Sequence, residues 1–351
     1  MIYVHHNRNV HVRTHDTIVF MEIEFNIDNR GLVSLIGIQF PEGVTHLQCH
    51  NNLLTSLDGC PDSVNYLVCS GNRLTSLVGC PLGIVSLNCS YNNLTSLIGC
   101  SPNVSSLNCS HNLLTSLIEI PRFVVTLDCS HNLLTSLIEI PNSVTMLHCY
   151  ENQITSLVGC SSTVKTLICS NNRLTSLVGC PPTVKTLICS NNRLTSLVGC
   201  PPIEELFCNH NQLTSLVGCP ESVIYIYCNY NRLTSLDGCR PHVQLLLCNH
   251  NELTSVEGCP LNARFFECND NPLITVHPHV PTRLMEIAAV AVRNIPTIEW
   301  DNTANVPREV ADFINDCIGL CSMCHNRYSA TRKIHKVRGN NVPTWNCDLC
   351  R

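Results

Sequence analysis

An asparagine returns every 20 residues along most of this chain, at positions 52, 72, 92, 112, 132, 152, 172 and 192, then, after one 19-residue unit, at 211, 231, 251 and 271. Its neighbours keep their offsets. Val44, Leu47, Cys49, Asn52, Leu54 and Leu57 are followed by Gly59, Cys60 and Pro61, and this frame recurs. A unit so short cannot bury its own apolar side, whereas stacked copies build a continuous core with only the ends exposed. The period therefore predicts a solenoid.

Within a unit, Leu47 and Cys49 alternate with His46 and Gln48, the period of two of a strand with one face inward. Strands repeated in this way form a parallel sheet. The unit leaves no room for a full return helix, and Gly-Cys-Pro favours a turning or extended return path. The short unit loses its residue between Pro202 and Ile203, where a loop can absorb the deletion. Residues 163–180 recur unchanged at 183–200, and the stretch from His111 to Pro121 recurs at 131–141. Upstream, Phe25, Ile27, Arg30 and Leu32 fill the slots of Leu47, Cys49, Asn52 and Leu54, a worn unit that begins an N-terminal cap.

Over residues 22–276 the pattern resembles leucine-rich repeat proteins, in particular the short N-x-L-T-x-L-P units of bacterial secreted effectors. The resemblance implies an arc with its parallel sheet on the concave face and a mostly non-helical convex side. It also implies that the asparagines form a ladder of amides bonded to the backbone of their own and adjacent turns. Burial physics agrees, since a buried amide must be satisfied and can both donate and accept.

Composition bears on the cysteines. The chain holds 26 of them in 351 residues with 44% hydrophobic and 13% charged content, enough for a large core. Twelve occupy the inward strand slot from Cys49 to Cys268, and nine, from Cys60 to Cys259, precede the return path. Ile120 and Ile140 replace the second set in two units, so that slot wants an apolar group rather than sulfur. No basic leader with an unbroken apolar stretch and no run of about 18 apolar residues is visible. Buried, reduced thiols in a cytoplasmic or nuclear protein are expected, not a disulfide framework. A formal charge of −5 offers no global field for nucleic acid or an anionic membrane.

Outward strand positions are free of packing rules, and here they change character. Early units carry His46, Gln48, Ser86, Asn88, Ser106, Asn108, Thr126 and Asp128. Later units carry Ile168, Ile188, Phe207, Tyr227 and Leu247 in one column, flanked by Tyr225, Leu245 and Phe265. With aromatics at only 5%, this apolar stripe is the expected partner-binding surface. His111, His131, His210 and His250, one whole repeat or more apart, are not expected to bind metal.

Beyond residue 276 the period ends. Leu284, Ile287, Ala288, Ala291 and Val292 fit one helical face, and Pro307 with Val310, Phe313 and Ile314 fits a second short helix. Cys321-x2-Cys324 and Cys347-x2-Cys350 are spaced to close a tetrahedral Zn²⁺ site, a structural staple with no open position for chemistry, with Cys317, His325 and His335 as alternative ligands beside them. From Asn271 to Cys350 the chain also resembles the C-terminal part of animal leucine-rich repeat proteins, some of which are substrate receptors of cullin ubiquitin ligases. That resemblance implies elongin docking through Leu284, Ala288 and Val292 and a cullin contact through Val306, Pro307, Val310 and Phe313.

The expected organisation is a β cap with a degenerate repeat at 1–40, repeats at 41–276, a helical cap at 277–316 and a zinc module at 317–351. With no phosphate-cradling loop, zincin motif or convergent acid/base set, an enzyme is not expected. An intracellular scaffold for protein partners is, with the ubiquitin-ligase receptor as the alternative.

Overall fold

The computed structural model describes residues 10–15, 18–260, 263–273, 332–337 and 340–345, with side chains for 22–260 and 263–273. Two compact units divide between Leu206 and Phe207 and are described in turn.

In the first unit, β1 (Val10–His15) pairs antiparallel with β2 (Ile18–Asn26), whose last residues run parallel to β3 (His46–Gln48). Three-residue strands follow at the repeat period: β4 (Tyr66–Val68), β5 (Ser86–Asn88), β6 (Ser106–Asn108), β7 (Thr126–Asp128), β8 (Met146–His148), β9 (Thr166–Ile168) and β10 (Thr186–Ile188). All pair in parallel and in register, so Leu47 lies opposite Leu67 and Leu67 opposite Leu87. Phe25 lies opposite Leu47, the slot the worn first unit predicts, and is buried. At the boundary stands β11 (Glu205–Phe207). In the second unit β12 (Tyr225–Tyr227), β13 (Leu245–Leu247) and β14 (Phe265–Glu267) repeat the parallel pattern. No helix occurs among the described residues.

The return path is two consecutive four-residue turns. Leu57 O accepts from Cys60 N at 3.0 Å, and Pro61 O accepts from Val64 N at 3.1 Å. Gly59, third in the first turn, has φ of 92°, the left-handed value a type II turn requires there. At Gly99 space adds a second reason, because a Cβ would lie 2.4 Å from Val78 N in the neighbouring coil. The second turn residue is left at an exposed corner.

Each coil is laced to the next by its asparagine. Asn132 Nδ2 donates to Cys109 O, Cys129 O and Ser130 O at 3.1, 3.1 and 3.0 Å, while its Oδ1 accepts from Leu114 N at 2.9 Å. One amide thus satisfies backbone of its own coil and of the preceding one, as the family resemblance implied. The preceding residue adopts left-handed φ, 52° at His111 and 53° at Glu151, which lets the chain leave the strand and turn the amide inward.

The core is leucine, valine and sulfur. Inner-column thiols from Cys49 to Cys248 are fully buried, and several donate to a carbonyl of the next coil, as Cys89 Sγ does to Asn108 O at 3.4 Å. Burial pushes the thiols of Cys69, Cys89, Cys149 and Cys169 well above the ordinary value of 9.0, with neighbouring sulfurs adding to the effect. The second column is half-buried or buried. There burial raises Cys60, Cys100 and Cys180 to about 12. Every cysteine among the described residues is free of disulfide.

The helices expected at Leu284 and Pro307 and the ligands Cys321, Cys324, Cys347 and Cys350 lie outside the described residues. Between the two cysteine pairs, β15 (Arg332–Val337) and β16 (Asn340–Trp345) form an antiparallel hairpin in which Arg332 lies opposite Trp345.

Candidate functional site: the strand face

The sequence-derived partner residues fall at two depths. In the first unit Ile168 is buried and Ile188, opposite it in the register, is half-buried. In the second, Phe207 and Leu247 are buried, whereas Tyr225, Tyr227, Leu245 and Phe265 are half-buried. The expected open stripe is thus partly closed. In-register parallel strands set equivalent side chains about 4.8 Å apart, so bulky neighbours cover one another. Phe207 and Tyr227 show this directly, stacked with ring centroids 4.4 Å apart and planes 7° from parallel.

What remains accessible is the column one step earlier. In the second unit it presents Tyr225, Leu245 and Phe265, with Arg264 exposed beside the last. In the first unit it presents His46, exposed Tyr66, then serine and threonine interrupted by half-buried Met146, and the residues just before include exposed Lys165 and Lys185. His46 and Tyr66 stack at 4.2 Å. Inward positions are nearly uniform from coil to coil, but these outward ones are not.

Midway along the first unit, Asp128 lies opposite His148. Burial lowers the His148 pKa and Asp128 partly opposes that shift. Ser130 Oγ donates to Asp128 Oδ1 at 2.6 Å, so its proton is directed to the carboxylate and not to an imidazole base. The cysteines are held protonated by burial. No three His, Cys, Asp or Glu side chains group as a metal site among the described residues.

Two further arrangements arise from the stacking of one coil on the next. Asn209, Asn229 and Asn249 form a second amide ladder, each Oδ1 accepting the backbone N–H of the equivalent residue in the following coil at 2.9, 2.8 and 2.7 Å. Its signal was the N-x-N spacing of the last four units, where earlier units have His, Ser or Tyr. The histidines before the ladder asparagines also stack: Tyr91 on His111 at 3.9 Å and His111 on His131 at 3.8 Å in the first unit, His210 on Tyr230 and Tyr230 on His250 in the second. Face-to-face rings aim their nitrogen lone pairs side by side, not at a shared point, which suits stacking and not chelation.

Parallel strands, turns of about 20 residues, a leucine core and an asparagine ladder together are the architecture of leucine-rich repeat proteins. Solved structures similar to this chain are of that class. One is YopM from Yersinia enterocolitica WA-314, with 25% identity over 68% of this chain and 62% of that one and a TM-score of 0.54. Another is YopM, a leucine-rich effector protein from Yersinia pestis, with 22% identity, coverage of 72% and 84% and a TM-score of 0.53. A third is the octameric complex of Latrophilin 3, Unc5D and FLRT2, with 19% identity, coverage of 77% and 86% and a TM-score of 0.51. The chain thus spans less than two thirds of the first relative. No family model and no curated protein matches the sequence.

Proposed function

We propose that this protein is a non-enzymatic scaffold that recognises a protein partner on its strand face, with Tyr225, Leu245 and Phe265 as apolar anchors. The observation that carries this reading is the contrast between inward strand positions, fixed by packing, and outward ones that vary coil by coil. Half-buried aromatic and aliphatic side chains lose little entropy on docking and present large apolar surface. The FLRT2 complex gives the fold a precedent in protein assembly.

A photo-cross-linking residue placed at Tyr225 or Leu245 of the full chain in cells tests it, with exposed Thr234 as the control position. A discrete adduct from the two strand-face sites and none from Thr234 is expected. Absence of adducts from both strand-face sites would sink the reading.

We place the protein inside the cell, supported by its buried thiols, none of which is joined in a disulfide among the described residues, as suits a reducing compartment. We further propose that Cys321, Cys324, Cys347 and Cys350 hold a structural Zn²⁺. The hairpin supports this, because pairing Arg332 with Trp345 folds the spacer back on itself between the two cysteine pairs. Metal analysis of purified protein should find about one zinc per chain, lost in Cys347→Ser with Cys350→Ser. The alternative, a cullin ubiquitin-ligase receptor, predicts elongin and cullin among the cross-linked or co-purified proteins.

A further inference from the structure

The turn that closes each coil leaves its second residue at a corner, and from Val78 to Val198 that corner is valine or isoleucine in seven consecutive coils of the first unit. Every one is more than half exposed, and Ile118 and Ile138 reach 70%. Asp58 ends the row on one side. At about 4.8 Å per coil the row is a ridge roughly 29 Å long on the return side, away from the strands. Isolated exposed aliphatics need no explanation, but a contiguous row does.

The turn changes at the middle of this ridge. Glu119 and Glu139 stand where the other coils have glycine, and neither has the positive φ of those glycines. The turns still close, Ile120 N donating to Leu117 O at 3.1 Å and Ile140 N to Leu137 O at 3.3 Å. Here a side chain makes the contact to the next coil. Leu77 N donates to Ile98 O, a backbone carbonyl, whereas Leu117 N donates to Glu139 Oε2 at 3.0 Å. One coil earlier, beside Glu119, lies a notch of about 190 Å³ lined by Ser96, Leu97, Ser116, Ile118 and Glu119. The Glu119 carboxylate has no hydrogen-bond or ion-pair partner among the described residues. The other charges on the return side of these two coils are Glu139 and Arg122, so the centre of the ridge is net acidic.

From these features we infer that the ridge docks an extended aliphatic segment of a partner protein that carries one arginine, laid into the notch. The arginine methylenes would lie on Leu97 and Ile118, its guanidinium on Glu119 with the two serine hydroxyls beside it, while flanking aliphatics cover Ile138 and Val158. Charge argues against a second copy of this chain, since antiparallel self-pairing about the ridge centre at Ile138 would bring Glu139 of one copy onto Glu139 of the other. This surface is independent of the strand face.

The test uses the full chain and two fluorescent seven-residue peptides, Thr-Val-Ile-Arg-Val-Ile-Thr and the same peptide with citrulline for arginine, followed by anisotropy. Citrulline keeps the shape and removes the charge. The arginine peptide should bind roughly tenfold more tightly. Glu119→Gln should erase that preference, and Ile118→Ser should weaken both peptides alike. Glu119→Gly, which restores the turn residue of the other coils, should also abolish the preference and serves if Glu119→Gln perturbs the fold. Substitutions at Tyr225 and Leu245 should leave binding unchanged, which separates this surface from the strand face. Equal binding of the two peptides to the unaltered chain, or an arginine preference that survives both Glu119 substitutions, would overturn the inference.

Discussion

Raising the pH from 9 to about 10 should unfold the repeats in a single cooperative transition. In the folded coils, burial holds the inner-column thiols protonated far beyond their ordinary value of 9.0. In the unfolded chain they ionise near that value. The sign follows from linkage: a thiol whose folded pKa is raised contributes stability that is intact below 9 and is lost as the pH climbs toward the folded value, because the unfolded state sheds its proton first. One pH unit above the unfolded value the loss is about 1.4 kcal/mol per thiol, and ten such thiols give about 14 kcal/mol. A domain's whole stability is roughly 5–15 kcal/mol. Circular dichroism and thiolate absorbance recorded together should therefore change at one midpoint. Thiols that ionise between pH 9 and 10 while the strand signal persists would show that the inner column is not sealed as described.

The second large effect is expected at the asparagine ladder. Asn132→Leu keeps the γ-branched shape but removes three donated bonds and one accepted bond, and leaves Leu114 N buried without its partner. A buried unsatisfied group costs about 1–3 kcal/mol, and with the carbonyls also deprived the total should be roughly 3–5 kcal/mol. Asn271 makes the equivalent bonds, but it is half-buried, and water can replace part of what Asn271→Leu removes. Its cost should be about 1–2 kcal/mol. Urea melts of the two variants give the comparison. Equal losses at the two positions would mean that the ladder does not act through burial.

Much of the fold was open to reading in one dimension because the repeat is itself a packing rule. Leu47, Cys49 and Asn52 occupy slots whose surroundings are other copies of the same slots, so their burial and bonding follow from the period. Glycine at 59 and proline at 61 marked the return turns for the same reason. The strand face was less legible. Alternation correctly assigned Ile168, Phe207 and Leu247 to the outward side, but outward was equated with exposed. Their burial comes from lateral cover by neighbours about 4.8 Å away, an effect of side-chain size across coils and not of alternation within one.

The return-side ridge was hidden by a similar assumption. Val78, Ile118 and Ile138 look like core residues beside the leucines that precede them, and only the turn geometry puts them at a corner in solvent. The exchange of Gly-Cys for Glu-Ile at 119 and 139 was visible in the sequence, but that a notch lies beside Glu119 depends on how adjacent coils meet.

Sequence alone determined what repeats: a parallel solenoid, its inward leucines and thiols, its asparagine lacing and its turns, because each of these is enforced within about 20 residues and multiplied by stacking. The tertiary structure decided what depends on the distance between coils: which outward side chains stay accessible, where rings and amides stack into ladders, and where a carboxylate stands beside a gap. Those properties arise between residues one period apart in sequence, and the side chains on both sides of the gap set them together.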